Sequence, residues 1–303
     1  MSDAHSTTAH ASHPRYARQH ALKGFGFAAQ ERLAAARVLI VGAGGLGAPV
    51  AMYLAAAGVG TLTIADEDAV DLSNLHRQLL YGTRDVGRQK LDVARERLED
   101  INPLVTVAIR NTRLNADNAI ELVSGHDVVI DATDNFPARY AINDACLTHG
   151  IPFVYGSVAR FQGQVSVFAH ADGPCYRCLF PEPPLPGSVP TCAEEGVLGL
   201  VPGIVGLHQA NEAIKLLAGI GTPLVGGLLL LDLLENDSQV ISIDRRADCP
   251  ACAARDAARL SNQQFSRVHV NNPISFSTPV QQLSPQELAE WLKSDRKPTV
   301  LDV

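Results

Sequence analysis

Nowhere in the 303 residues does an apolar run reach the length needed to cross a bilayer. The most apolar stretches, Val197 to Ile220 and Gly226 to Leu234, are broken by charge, proline or glycine, or are too short. No membrane partner is therefore expected. The opening residues MSDAHSTTAHASHPRY hold no apolar signal core, which argues against export and for a cytoplasmic protein. Basic residues are too few for general nucleic-acid binding. Lys and Arg number 25 against 32 Asp and Glu, a formal charge of −7, whereas neutralising phosphates needs concentrated positive charge. Internal repeats are also lacking. What is present is 46% hydrophobic and 19% charged, the composition of a globular chain able to bury a large core. Residues 1–14, with scattered His5, His10 and His13, read as a disordered tail.

After that tail, Tyr16 to Ala35 reads as one or two short helices. Strands are expected at Val38 to Val41, Leu62 to Ala65, Val105 to Ile109, Asp127 to Asp131 and Pro152 to Tyr155. Helical patterns lie between them, at Leu46 to Ala57 and at Gln89 to Ile101, where Leu91, Ala94, Leu98 and Ile101 share one face. Alternation of this kind predicts an α/β fold with a parallel sheet covered on both faces. Period-two patterns from Phe161 to Ala169 and from Gly226 to Ile243 add antiparallel strands. Leu200 to Leu217 reads as a long buried helix between them. Residues 15–253 thus form the main domain. Residues 254–278 are polar and read as a linker. Residues 279–303 hold a helix start at Ser284 and a final strand, which together look like the opening of a second domain.

The stretch RVLIVGAGGLGAPV places Gly42, Gly44 and Gly47 in a GxGxxG pattern between a strand and a helix. Such a turn lets backbone approach a phosphate, and the helix N-terminus attracts negative charge. Asp66, at the end of the second strand, is placed to bind a ribose hydroxyl. These features alone suit NAD and ATP equally. The neighbours separate the two. Asn74, Arg77 and Lys90 follow Asp66, and Asp131 and Asp134 stand at the end of the fourth strand. Cations beside a carboxylate suit triphosphate and magnesium. Singly, each has an ordinary reading: Arg77 and Lys90 as solvated charges, Asp134 or Asn135 as a helix cap. Together they favour ATP over an NAD-dependent oxidoreductase.

Two CxxC pairs, Cys175 with Cys178 and Cys249 with Cys252, make a closed four-thiolate zinc site plausible, with a structural role. The rival is a redox pair, but neither pair is expected to open a helix after a strand. Cys146 reads as a small buried residue. Cys192 follows a loop with five prolines. It is either a mobile nucleophile or an inert thiol beside a helix start.

The ordered motifs VLIVGAGGLGAP, DEDAVDLSNLHRQ, DATDN, PCYRCLFP, TCAEEGVLG and CPAC, spread over Arg15 to Cys252, resemble the MoeB/ThiF/HesA family, bacterial relatives of ubiquitin-activating enzymes. The resemblance implies a Rossmann-like sheet and a homodimer. It implies ATP-dependent adenylation of the Gly-Gly carboxylate of a small ubiquitin-like sulfur carrier protein, preparing a thiocarboxylate for molybdopterin, thiamine or tRNA thiolation. By resemblance, Gly42, Gly44, Gly45, Gly47 and Asp66 hold adenosine and ribose. Ser73, Asn74, Arg77 and Lys90 hold the phosphates, and Asp134 with Asn135 positions Mg2+ and ATP. Arg18 matches an arginine inserted into the partner subunit's phosphate site. Cys192 matches a position that bonds covalently to the carrier in some members. The segment LSPQELAEWLKSDRKPTVLDV resembles the start of a rhodanese domain, implying sulfur supply by that domain or by a desulfurase.

Overall fold

The computed structural model of the chain describes residues 2–185 and 196–261. Eight strands form one sheet in the order β3-β2-β1-β4-β5-β6-β7-β8. The parallel half comprises β1 (Arg37–Val41), β2 (Thr61–Asp66), β3 (Thr106–Asn111), β4 (Val128–Asp131) and β5 (Phe153–Ala159). β6 (Gln162–Phe168), β7 (Gly227–Asp232) and β8 (Asp237–Ser242) continue it antiparallel. Central parallel strands are buried on both faces, which explains their continuous Val, Leu and Ile content. Along β1 the pleat sends Val38 and Ile40 to one core cluster and Leu39 and Val41 to the other.

On the first face lie α3 (Gly26–Ala35), α4 (Gly47–Ala57), α5 (Lys90–Ile101) and the long α9 (Leu200–Ala218). On the second lie α6 (Ala119–Val123) and α7 (Phe136–His149), with the one-turn α8 (Tyr176–Leu179) and α10 (Pro250–Ser261) beyond. α4 is apolar nearly all round because α9 covers the side that the sheet does not. It stops at Gly58, whose φ of +86° is left-handed and whose missing Cβ makes room for the Tyr16 ring.

Two expectations need correction. The N-terminal segment is not a loose tail: Ser2–Ala11 forms helix α1, packed against α3. Ala11 is buried, the Thr8 hydroxyl donates to Glu31 Oε1, and the His10 ring lies 2.9 Å from the Tyr16 hydroxyl. These contacts use small and polar residues, which carry little apolar signal in the sequence. The linker expected from residue 254 begins instead as helix, since α10 runs to Ser261 with Arg255 buried. An alanine-rich segment has high helix propensity, and that outweighs its polarity. The expected second-domain start lies outside the described residues. Among the described residues, no helix is long and apolar enough to cross a membrane.

Candidate active site and metal centre

The carboxyl ends of β1, β2 and β4 open into a cleft of about 330 Å³. It sits where strand order reverses between β1 and β4, the switch point at which open α/β sheets bind ligands. The glycine turn forms its floor. Gly42 has φ +98°, and a Cβ there would lie 2.5 Å from the Ala132 carbonyl oxygen. Gly44 and Gly45 line the cleft, and among the described residues nothing accepts their N–H groups. Bare N–H donors at the start of α4 are suited to an anion. Gly47 stands behind the turn. Its Cβ would fall 1.9 Å from the Gly42 carbonyl oxygen, so this third glycine allows helix and turn to close together.

Asp66 clamps that turn to β2: Oδ2 accepts the Ala43 N–H at 2.7 Å and Oδ1 accepts the Asp68 N–H at 2.8 Å. Lys90 opens α5 with its side chain only 4% exposed. Its Nζ lies 2.8 Å from Asp68 Oδ2 and 3.9 Å from Asp66 Oδ1. A buried ammonium needs such partners to offset its lost hydration. Tyr81 donates its hydroxyl to the Ala43 carbonyl at 2.8 Å. Burial, with Asp66 and Asp68 nearby, pushes that phenol well up and keeps it a neutral donor.

Arg77 reaches the cleft from the short turn after β2. Its Nη2 donates to Asn74 Oδ1 at 2.7 Å, and Nη1 lies 2.8 Å from His76 Nε2 and 3.5 Å from the Ser73 carbonyl. Of the five guanidinium donors, two remain for a ligand. Asn74 also lines the cleft, whereas Ser73 does not. The Ser73 hydroxyl and N–H both donate to Asp71 Oδ1, which holds that carboxyl below its ordinary range and builds the turn. Asp134 and Asn135, at the start of α7, also line the cleft. Asn135 is also the α7 cap expected of it, its Oδ1 accepting the Ala138 N–H at 3.0 Å.

Arg18 is exposed on α2 (Ala17–His20) and is not part of this cleft. The neighbouring Gln19 donates to the Ala57 carbonyl, at the end of α4 away from the glycine turn. Cys192 lies outside the described residues.

Several wall residues escaped sequence reasoning. Asp68 is one: its N–H donates to Asp66 Oδ1, so the turn after β2 brings it to the cleft beside Lys90, a closeness the sequence pattern did not signal. Arg139 follows the Asn135 cap by about one helical turn. It is buried under the cleft, donating Nη2 to the Thr133 carbonyl at 3.2 Å with its guanidinium 5.5 Å from the Tyr155 ring centre. Arg113, paired with Glu67 at 2.9 Å, and Gln78 gave no such signal.

At the far end of the sheet, Cys175, Cys178, Cys249 and Cys252 converge, with all four sulfurs within 4.8 Å of one another. The separations are 3.8 Å for Cys175–Cys178 and 3.6 Å for Cys175–Cys249 and Cys178–Cys252. Four thiolates about 2.3 Å from one tetrahedral ion lie about 3.8 Å apart, so the set fits zinc. Contrary to expectation, both pairs do sit at helix starts: Cys175 caps α8 and Cys249 precedes α10. The redox reading is nevertheless weakened, because the closest contacts run between the pairs as much as within them. Hydrogen bonding from Cys175, and backbone N–H groups of Cys175 and Arg246, pull the Cys178 thiol down to about 5 against its burial. Tyr140, Tyr155, Phe168, Tyr176 and Phe180 pack beside the sulfurs with ring centres 5.0–5.9 Å apart. Cys146 is fully buried on α7, as expected.

A doubly wound sheet, a bare glycine turn at its switch point and basic groups around the cleft define a nucleotide-binding α/β protein. The chain belongs to the ThiF family, which it matches over residues 16–251. It is 51% identical over 250 residues to the sulfur carrier protein adenylyltransferase of Thermus thermophilus, covering 81% of this chain and 92% of that protein. Identity to the probable adenylyltransferase/sulfurtransferase MoeZ of Mycobacterium tuberculosis is 45% over 293 residues, 95% of this chain and 74% of that one. The crystal structure of E. coli MccB with ATP superposes with a TM-score of 0.68 at 22% identity, covering 80% and 75% of the two chains, a likeness of fold. None of these relatives favours the oxidoreductase alternative.

Proposed function

We propose that this chain adenylates the C-terminal Gly-Gly carboxylate of a small ubiquitin-like sulfur carrier protein with ATP. The observation that carries the reading is the cleft itself: bare N–H groups of Gly44 and Gly45 line it together with Arg77, Lys90 and Asp134. The Thermus thermophilus relative, named a sulfur carrier protein adenylyltransferase, and MoeZ, named a probable adenylyltransferase/sulfurtransferase, support it.

In this reading the glycine turn and Asp66 hold adenosine and ribose. Asn74, Arg77 and Lys90 hold the phosphates, while Ser73 acts only through the turn it builds. The carrier carboxylate attacks the α-phosphate, the bond from that phosphorus to the bridging oxygen breaks, and pyrophosphate leaves. A carboxylate is already ionised near neutrality, so no general base is required. The work is alignment and charge stabilisation, in which losing one donor costs on the order of 3 kcal/mol. Asp134, with phosphate oxygens, would hold Mg2+, which would neutralise phosphate charge; Asn135 fixes the loop bearing Asp134. Zn2+ would bind the four cysteines and tie α8 to α10.

The finer statements belong to the same proposal. The protein acts in the cytoplasm as a homodimer. Arg18, at the wrong end of α4 for its own cleft, serves the partner subunit's phosphate site. Cys192 stands at the position that bonds covalently to the carrier in some family members and is dispensable in others, and sulfur arrives from a rhodanese domain beginning near residue 279 or from a desulfurase. The products feed molybdopterin, thiamine or tRNA thiolation. The domain takes in residues 15–253 together with α1 before them and the rest of α10 after them. ATP–pyrophosphate exchange against a panel of Gly-Gly-ended carriers tests the core reading. Exchange should appear with at least one carrier and vanish when its terminal glycines are removed; exchange that ignores the tail would contradict it.

A further inference from the structure

We propose that His76 is the positioning residue for Arg77, its Nε2 holding the guanidinium ready for the nucleotide. This rests on the nucleotide reading above. Arg77 Nη1 lies 2.8 Å from His76 Nε2. A guanidinium has only donors, so Nε2 must accept, and the imidazole must be neutral with its proton on Nδ1. With Nη2 held by Asn74, this contact fixes the plane of the Arg77 head at the cleft wall.

The other side of His76 is also set. A Cβ on Gly199, at the start of α9, would lie 2.2 Å from the His76 carbonyl oxygen and 2.9 Å from Nδ1. The His76 ring is exposed on its remaining side, so Gly199 and the Arg77 contact are what set its place. Without the Nε2 acceptor, Nη1 keeps only the long contact to the Ser73 carbonyl at 3.5 Å, and the Arg77 head loses one of its two holds at the cleft wall.

Glutamine tests this directly, because its amide oxygen also accepts an N–H. ATP with Mg2+ is titrated calorimetrically into the full chain near pH 8. The proteins compared are wild type, His76→Gln and His76→Ala. H76A should bind about tenfold more weakly than wild type, the worth of one hydrogen bond to a charged group, and H76Q should recover most of that loss. H76A equal to wild type, or H76Q as weak as H76A, overturns the role of His76. Failure of wild type to bind ATP near pH 8 instead removes the nucleotide reading, and this inference with it.

Discussion

The two ends of the sheet solve opposite problems. At the parallel end, charges meet in an open cleft and remain only partly satisfied: Arg77 keeps spare donors, and Gly44 and Gly45 keep bare N–H groups. At the antiparallel end, four sulfurs are buried at 4% exposure or less and saturate one another's space behind aromatic rings. An unsatisfied group facing a cleft awaits a ligand that changes with each turnover. A closed four-thiolate shell leaves no open position for a substrate and serves stability. Chemistry and cohesion are thus segregated on one sheet.

If that separation holds, mutations at the ends should dissociate. The largest effect belongs to the metal end. Cys249→Ser, or stripping with a strong chelator, should release bound zinc, and denaturant unfolding should show a stability loss on the order of 5 kcal/mol. Residual folded protein should still bind ATP. Next comes the cleft. Lys90→Ala and Asp134→Ala should each lower pyrophosphate exchange by about 100- to 1,000-fold with the melting temperature nearly unchanged for Asp134→Ala. Lys90 is buried between carboxylates, so its loss should also weaken folding measurably. Exchange lost in the cysteine mutant while its fold persists would break the comparison.

Two glycines sharpen it. Gly42→Ala forces a left-handed φ on a side chain and drives Cβ into the Ala132 carbonyl, so destabilisation of about 2–3 kcal/mol is expected. Gly44→Ala meets only the Gln78 amide at 3.5 Å. It should leave stability within about 0.5 kcal/mol while weakening ATP binding. A similar stability loss in both would mean the turn has no dedicated ligand-facing glycine.

The smallest effect is one of pH. His126 contacts the Thr63 hydroxyl at 2.9 Å, and burial lowers its pKa. Folding therefore favours its neutral form. That contribution is present above the ordinary histidine range and is lost as pH falls through the lowered folded value. Urea unfolding should show stability falling from about pH 7.5 to about pH 5, and His126→Gln should flatten part of the slope.

Much of the fold was legible because period and punctuation agree locally. Val38 to Val41 followed by glycines, and Leu91 to Ile101 at helical spacing, sit within a residue or two of β1 and α5. The cleft was legible where one residue carries one chemistry, as with Arg77, Lys90 and Asp134. It was illegible where a role depends on what lies across space. Ser73 spends its hydroxyl on Asp71, and Gly47 spends its missing Cβ on Gly42. Arg139 reads as a helix charge until its aromatic cover from Tyr155 is seen. The order in α1 and α10 arises from packing of alanine-rich segments that composition alone describes as polar and featureless.

The central claim is that the switch-point cleft receives a triphosphate. Crystals of the full chain soaked with a non-hydrolysable ATP analogue and Mg2+ measure this most directly. The account predicts phosphate oxygens within hydrogen-bond distance of Arg77 and Lys90, the nucleoside against the glycine turn and Asp66, and Asp134 on the metal. Nucleotide bound elsewhere, or bound here with those side chains turned away from the phosphates, would contradict it.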